Sequence, residues 1–178
     1  MSELWDLSTW EPQPAALTAT DILILDTVKV LAAGLPDAEL RVSLADIFRL
    51  EDAIIGKAEA IDKGGIDAMT RHHFAPGVYC REITIPRGVM LTGAIHKSKH
   101  LAIVSAGDIS VLDVHGVRRV KAPAIFLSEP GIKRVGLAHE HTVFTCVHAN
   151  PDDERDLQVL WDRLYHNQRP EGVELCQQ

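Results

Sequence analysis

The chain has 178 residues, of which 46% are hydrophobic and 5% aromatic, and its 18 basic and 25 acidic side chains give a net charge of −7. This length fits one globular domain with extra elements attached, and such a domain buries a core without disulfides or a structural metal. No apolar run approaches the ~20 residues of a membrane span, and the first residues lack the basic and apolar regions of a signal peptide. We therefore expect a cytoplasmic protein without a membrane span.

The segments of the chain differ in charge and in histidine content. Residues 1–70 carry 13 acidic and 5 basic side chains, residues 71–150 carry 5 and 10, and residues 151–178 carry 7 and 3. Eight of the nine histidines also lie in the middle segment. We expect the functional site there. Nucleic acid is an unexpected partner for the basic side chains of this segment, because the chain as a whole is acidic and repels it. We expect these side chains to pair with the acidic segments on either side.

The N-terminal part is predicted to form an arm followed by helices. Residues 1–17 include two tryptophans but show no periodicity, which is typical of an arm that lies on its own domain or on a neighbour. Residues 18–70 are predicted to form a helical extension that packs on the rest of the domain, and apolar residues at helical spacing indicate its first helix over residues 20–35.

A second helix is predicted to begin at Ser43. Asp46, three residues later, completes a capping box, and an apolar stripe from Leu44 to Ile61 follows at helical spacing. Gly64 and Gly65 are expected to end this helix.

After Met69 the period changes to two, and glycines or prolines recur every 8 to 12 residues. This pattern is typical of an all-β sandwich or barrel, here spanning residues 71–150. Residues 151–178 are predicted to form a C-terminal helix and tail, because apolar residues return to helical spacing over residues 152–166. The predicted strands cover residues 78–85, 88–95, 100–105, 108–114, 117–121, 124–128, 132–138 and 142–149.

The stretch from Gly93 to Asn150 resembles the two-motif core of the cupin superfamily. In that family the first motif runs Gly, five residues, His-x-His, three or four residues, Glu, six residues, Gly. With Gly107 as the closing glycine, His96 matches the second histidine, His100 replaces the glutamate, and Ala94 replaces the first histidine. In the second motif, Arg134 stands where a ligand histidine is expected.

The resemblance implies a mainly β fold, a double-stranded β-helix or jelly-roll barrel with helices at both ends. It also implies a divalent transition metal (Zn, Fe, Ni or Mn) and pairing of barrels into a homodimer or higher assembly. The segment RHHFAPGVYCREITIP further resembles small cupin-like proteins of tailed phages and prophages, which would place the chain in a host cytoplasm or a virion.

Three histidines are candidate metal ligands. His96 and His100 flank a short connection and could face one barrel mouth, where imidazoles bind transition metals. If residues 142–149 pair with 132–138 in a hairpin, His148 lies opposite Arg134 and completes the set. The alternative is that these histidines are solvated or hydrogen-bonded within the core. His139 and His141 are expected to lie in an exposed turn.

Tyr79 and Arg134 are the candidate catalytic residues. Tyr79 shares a strand face with Arg81, so an inward face would offer a phenolic proton donor beside a guanidinium that clamps carboxylate or phosphate. His72 and His73 precede a predicted turn over residues 74–77 that leads into the first strand. They either line the barrel mouth or, as we expect, only cap the approach of the helical region. Cys80, Cys146 and Cys176 are odd in number and far apart, which predicts free thiols.

Two functions from different classes remain open. The first is a metal-binding cupin with a small anionic ligand in the barrel mouth, acting, if it is an enzyme, as an oxygenase, isomerase or lyase. The second is a non-catalytic structural or assembly protein, such as a phage component, that uses the barrel as scaffold and the N-terminal arm for contacts. A metabolite sensor without turnover is a third possibility.

Overall fold

The computed structural model describes residues 42–55 and 63–166, together with Thr27 and Lys29. These two residues are helical, but the rest of the predicted helix over residues 20–35 lies outside the described residues, as do the arm over residues 1–17 and the end of the C-terminal tail. The described helices are α1 (Leu44–Ile55), α2 (Lys63–Ala68) and α3 (Leu157–Leu164).

In the described part of the chain, nine antiparallel strands form two sheets. One sheet has the order β1-β2-β9-β4-β7 and the other has the order β3-β8-β5-β6. The eight strands from β2 to β9 have the strand order of a jelly roll, a fold in which the chain crosses repeatedly between two facing sheets. The predicted double-stranded β-helix is therefore confirmed. The strands are β1 (Thr70–Ala75), β2 (Gly77–Ile85), β3 (Met90–Thr92), β4 (His100–Ala106), β5 (Asp108–Asp113), β6 (Gly116–Lys121), β7 (Ala124–Ser128), β8 (Val135–Ala138) and β9 (Thr142–Asn150).

All eight predicted strands are present, but three details differ from the prediction. β1 was not predicted, because its sequence TRHHFA is mostly polar. It lies on the edge of the sheet, where two of its residues are half-buried and four are exposed. β3 and β8 are shorter than the predicted 88–95 and 132–138. His72 and His73, which the sequence places before the first strand, consequently lie on a strand of their own.

Helix α1 begins as the capping box predicts. The Ser43 amide donates to Asp46 Oδ2 at 2.9 Å, and the Asp46 amide donates to Ser43 Oγ at 3.1 Å. Gly64 and Gly65 lie inside α2 and do not end a helix, which corrects the prediction. A glycine costs a helix only about 1 kcal/mol, so a short turn held between neighbouring elements tolerates it.

Apolar residues form one cluster on each face of the four-stranded sheet. The first cluster lies between the inner faces of the two sheets and includes Ile83, Val104 and Ile109. The outer face of the four-stranded sheet is covered by α1, whose Ile47 and Leu50 are 1% and 2% exposed. Neither cluster reaches the inner face of the five-stranded sheet near the N-terminal end of β2, and polar side chains lie there.

The predicted hairpin between residues 132–138 and 142–149 is wrong. β8 pairs with β3 and β5, whereas β9 pairs with β2 and β4 in the other sheet. The turn after Ala138 carries the chain from one sheet to the other because jelly-roll topology alternates between sheets. His148 therefore lies opposite Tyr79 and not opposite Arg134.

Within residues 42–55 and 63–166, the basic side chains of the barrel pair mainly with barrel acids, whereas the sequence predicts pairing with the acidic end segments, most of whose acids lie outside the described residues. Among the described residues, one such pair reaches a helix, namely Lys133 with Glu51 of α1 at 2.7 Å. The pairs within the barrel are Arg119 and Lys121 with Asp108, Arg118 and Arg134 with Asp113, and Lys99 with Glu129.

Candidate metal centre

Three histidine rings and a cysteine meet inside one end of the barrel. The ring centroids of His96 and His100 are 3.8 Å apart, those of His100 and His148 are 4.7 Å apart, and those of His96 and His148 are 5.3 Å apart. Cys146 lies two residues before His148 on β9, so both side chains face the interior. The structure therefore brings together all three predicted ligands and adds a thiol.

Each member of this cluster is positioned by strand pairing. His148 lies opposite Tyr79 in the β2–β9 ladder, and Cys146 lies opposite Ala102 in the β4–β9 ladder. His100 is the first residue of β4, and His96 forms an isolated bridge with Tyr165, the residue after α3. The cluster thus combines residues from β4, β9 and the segment before β4.

Three of these side chains could hold a metal ion together. One donor atom each from His96, Cys146 and His148 lies within 4.8 Å of the other two. Both ring nitrogens of His96 and of His148 are buried, and none has a hydrogen-bond partner. Buried polar atoms almost always have a partner, so four buried imidazole nitrogens without one fit a site for a metal ion.

The position of His100 differs from that of the other two histidines. It packs against the ring of His96, but its Nδ1 lies 3.4 Å from the carbonyl oxygen of Ser98. That contact leaves its Nε2 as the nitrogen available to a ligand. His100 therefore either supplies a fourth donor or holds His96 in place.

Burial keeps the cluster neutral. It lowers the pKa of His96 to about 2 and that of His148 to about 4, and repulsion from protonated His100 acts in the same direction. Burial also raises the pKa of the Cys146 thiol to about 11, against the opposing effect of Arg81 and Arg134. A metal ion is the partner that would favour neutral imidazole and thiolate together.

Tyr79 lies beside the cluster and is 3% exposed. Its hydroxyl forms a hydrogen bond of 2.8 Å with Nδ1 of His72 on β1, and its ring stacks at 6.1 Å from that of His148. Burial raises the pKa of Tyr79 to about 12, so the phenol stays protonated. Tyr79 therefore presents a proton donor already engaged with His72.

Arg134 approaches the cluster from the opposite sheet. Its Nη1 donates to Ser128 Oγ at 2.9 Å, and Ser128 lies directly opposite His100. Its Nε lies 3.4 Å from Asp113 Oδ2. Arg134 also lines a surface cavity of about 190 Å³ next to the β5–β6 turn.

Helix α3 covers the cluster. Asp156 caps this helix, and Leu160 and Leu164, which are 1% and 5% exposed, pack with Tyr79 and Tyr165. The Tyr165 ring meets the His96 ring edge-on with centroids 4.7 Å apart. The helix thus excludes water from the imidazoles.

Sequence reasoning missed Cys146. The signal was present, because the spacing Cys-x-His on a strand places both side chains on one face. It was weak, because Cys146 had no cysteine or histidine neighbour at metal-motif spacing other than His148. Within the described residues Cys80 and Cys146 are free thiols, whereas Cys176 lies outside them.

The remaining histidines lie elsewhere. His139 is half-buried, with its Nε2 at 2.7 Å from Ser110 Oγ, whereas His141 is exposed as expected. His73 lies on the outer face of β1, with its Nε2 at 3.6 Å from Glu82. None of these three side chains belongs to the cluster.

Solved structures that resemble this one include cupin-domain proteins. A cupin-2 domain protein from Shewanella frigidimarina has 10% identity over 46% of this chain and 79% of its own, with a TM-score of 0.39. KdgF from a Halomonas species has 14% identity over 49% and 79%, with a TM-score of 0.40. Salicylate 1,2-dioxygenase from Pseudaminobacter salicylatoxidans has 10% identity over 53% and 28%, with a TM-score of 0.43.

The strand order of this chain, rather than these low scores, establishes its fold. No protein-family model matches the sequence, and no curated protein matches it. None of the described helices has the length and apolar character needed to span a membrane.

Proposed function

We propose that this chain, a cupin by fold, binds one divalent transition metal through His96, Cys146 and His148, with His100 beside them. We further propose that a small anionic ligand binds next to the metal. The observation that carries the proposal is the set of four buried imidazole nitrogens without hydrogen-bond partners, with a thiol within reach.

The ligand types favour some metals over others. Imidazole and thiolate suit zinc, iron, cobalt, nickel and copper, whereas manganese and magnesium prefer carboxylate and water oxygens. Cys146 therefore shifts the expectation from manganese toward zinc, and the absence of a carboxylate from the donor set acts in the same direction.

The surrounding residues define what the site can do. A bound metal would act as a Lewis acid toward a carbonyl or a water molecule. Tyr79 would hold a proton at its hydroxyl, shared with His72, and Arg134 would attract an oxyanion through its charge and the N–H groups that Asp113 and Ser128 leave free. Helix α3 would keep water from the ligand. An oxygenase, isomerase or lyase reaction is compatible with these parts.

Elemental analysis of the purified protein tests the proposal. We expect near-equimolar metal in the wild type and its loss in His96→Ala, His148→Ala and Cys146→Ser, because each removes one of three donors. His141→Ala is the matched control, since His141 is exposed and outside the cluster. Cobalt-loaded protein should also show a thiolate-to-cobalt absorption band, which Cys146→Ser abolishes.

A well-folded wild type that takes up none of these metals would contradict the proposal. The barrel would then be a scaffold, and the structural or assembly function would be the one to pursue. Metal retained in Cys146→Ser but lost in His100→Ala would restore the three-histidine set that the sequence predicts.

A further inference from the structure

One cation points into the site from the five-stranded sheet. Arg81 alternates with Tyr79 on β2, and its strand partners are His72 on β1 and Cys146 on β9. Paired residues share a face of the sheet, so Arg81 lies on the inner face, one step deeper in the barrel than Tyr79 and His148.

The inner face of this sheet lacks a carboxylate to balance Arg81. In the register of β1, β2, β9, β4 and β7, no position that shares the inner face with Arg81 holds Asp or Glu. The positions near the cluster hold histidine, tyrosine, cysteine, alanine, phenylalanine and serine. A metal ion bound by neutral imidazoles and one thiolate would add further positive charge.

Most of the hydrogen-bonding capacity of Arg81 also remains unused by the described residues. A guanidinium carries five N–H donors, and the structure gives Arg81 one side-chain hydrogen bond, from Nη2 to Thr70 Oγ1 at 3.3 Å. Arg134 differs, because Asp113 and Ser128 already engage its guanidinium. A partly buried cation with free forked donors is suited to a planar oxyanion.

We propose that Arg81 anchors the carboxylate group of a small ligand, which binds with a second polar atom toward the metal. This inference rests on the proposed function, and it names both the ligand class and the residue that selects it. A carboxylate supplies the missing negative charge and accepts two parallel hydrogen bonds from the fork. A neutral ester or amide of the same size supplies neither the charge nor the paired acceptors.

Calorimetric titration with pyruvate and with methyl pyruvate tests the proposal, on metal-loaded and on metal-free protein of measured metal content. We expect pyruvate to bind the wild type and methyl pyruvate to bind at least about 10-fold more weakly, since one bidentate charged pair contributes roughly that much. Arg81→Gln should raise the Kd for pyruvate about 10-fold or more without lowering metal content. Arg81→Lys should lose several-fold, because it keeps the charge without the fork.

Arg87→Gln is the matched control, because it removes the same charge from an exposed position beyond the opposite end of β2. Equal binding of pyruvate and its methyl ester, or equal binding by the wild type and Arg81→Gln, would overturn the proposal. Tighter binding of inorganic phosphate than of pyruvate would overturn the carboxylate assignment. A wild type without metal would contradict the proposed function alone, since the metal-free titration still measures the dependence on Arg81.

Discussion

Individual histidines of the cluster are held where water is excluded and where no carboxylate offers a counter-charge. A protonated imidazole is costly in such a place, so these rings stay neutral in the folded chain. The lowered pKa values of His96, His100 and His148 share burial as their largest cause. The property that suits the rings to a metal therefore also makes the metal-free protein sensitive to acid.

The metal-free protein should lose stability as the pH falls below the ordinary histidine pKa of 6.5. Because the folded pKa values are lower, the unfolded chain binds more protons below that pH, and stability is complete only above it. His96 and His148 should each contribute up to about 2 kcal/mol of loss between pH 6.5 and about 5. Urea unfolding of EDTA-treated protein across this range measures the effect, and His148→Gln should show a shallower pH dependence.

A pH dependence that His148→Gln leaves unchanged would show that His148 is accessible to protons in the folded state. The same experiment separates the cluster from His141, which is exposed. His141→Gln is therefore expected to leave the slope as it is in the wild type.

The residues of the cluster differ in whether the sequence alone could predict their place in it. His96 and His100 were predictable, because they flank a short connection and the resemblance placed them in a ligand motif. The prediction that His148 faces inward was derived from a hairpin that does not exist. His148 does face inward, but its orientation is set by the pairing of β9 with β2 and β4. Cys146 was missed because a single cysteine on a strand is usually only a small buried residue.

At the level of elements, α1 is held to the barrel by a buried charge. Lys133 is 4% exposed, and its Nζ donates to Glu51 Oε1 at 2.7 Å and to the carbonyl oxygen of Gly93 at 3.0 Å. The same Glu51 oxygen accepts from Thr92 Oγ1 at 2.7 Å, and the Lys133 ammonium lies 4.7 Å from the centroid of the Phe48 ring. One carboxylate therefore joins α1 to β3 and to the segment before β8.

Glu51→Ala should destabilise the protein by about 3 to 5 kcal/mol, because it leaves the Lys133 ammonium buried without its counter-charge. Chemical unfolding measures the loss. Arg49→Ala is the matched control, since it breaks an exposed pair with Asp46 and should cost under about 1 kcal/mol. Similar small losses in both variants would show that Lys133 reaches water when Glu51 is removed.

The positions of the strands in the sequence were more predictable than the pairing of the strands in the sheets. Glycine and proline spacing located eight strands, because turns need those residues wherever the chain reverses. Which strands pair was not predictable from adjacent segments, because most consecutive strands of this jelly roll lie in different sheets, and only β1–β2 and β5–β6 of the described strands pair with their neighbours in sequence. The strand β1 lacked a pattern altogether, since an edge strand with charged residues needs no apolar face.

At the scale of the molecule, the two sheets of the described residues have four edges, and three of them are short or charged. β1 carries Arg71, His72 and His73, β6 carries two arginines and a lysine, and β3 has only three residues. β7, with the sequence AIFLS, has no charge, and its Ile125 and Leu127 are 68% and 53% exposed. Leu101 lies opposite Leu127 on the same outer face and is 46% exposed.

Short or charged edges prevent a sheet from pairing with another chain, so among the described strands β7 is the edge best suited to such pairing. We propose that two copies of the chain form a homodimer there, with two β7 strands antiparallel and Ile125 of each copy near Leu127 of the other. Ile125→Lys and Leu127→Lys should convert the dimer to monomer, because each places a charge on the paired edge. Light scattering during gel filtration at several concentrations measures the mass.

Val159→Lys is the matched control, because Val159 is 42% exposed on α3 and away from β7. A wild type that stays monomeric at every concentration would contradict the expected dimer. A dimer that survives both β7 variants would place the interface elsewhere, and deletion of residues 1–17 then tests the arm. Dissociation caused by that deletion alone would assign assembly to the arm and leave the β7 edge for a different partner.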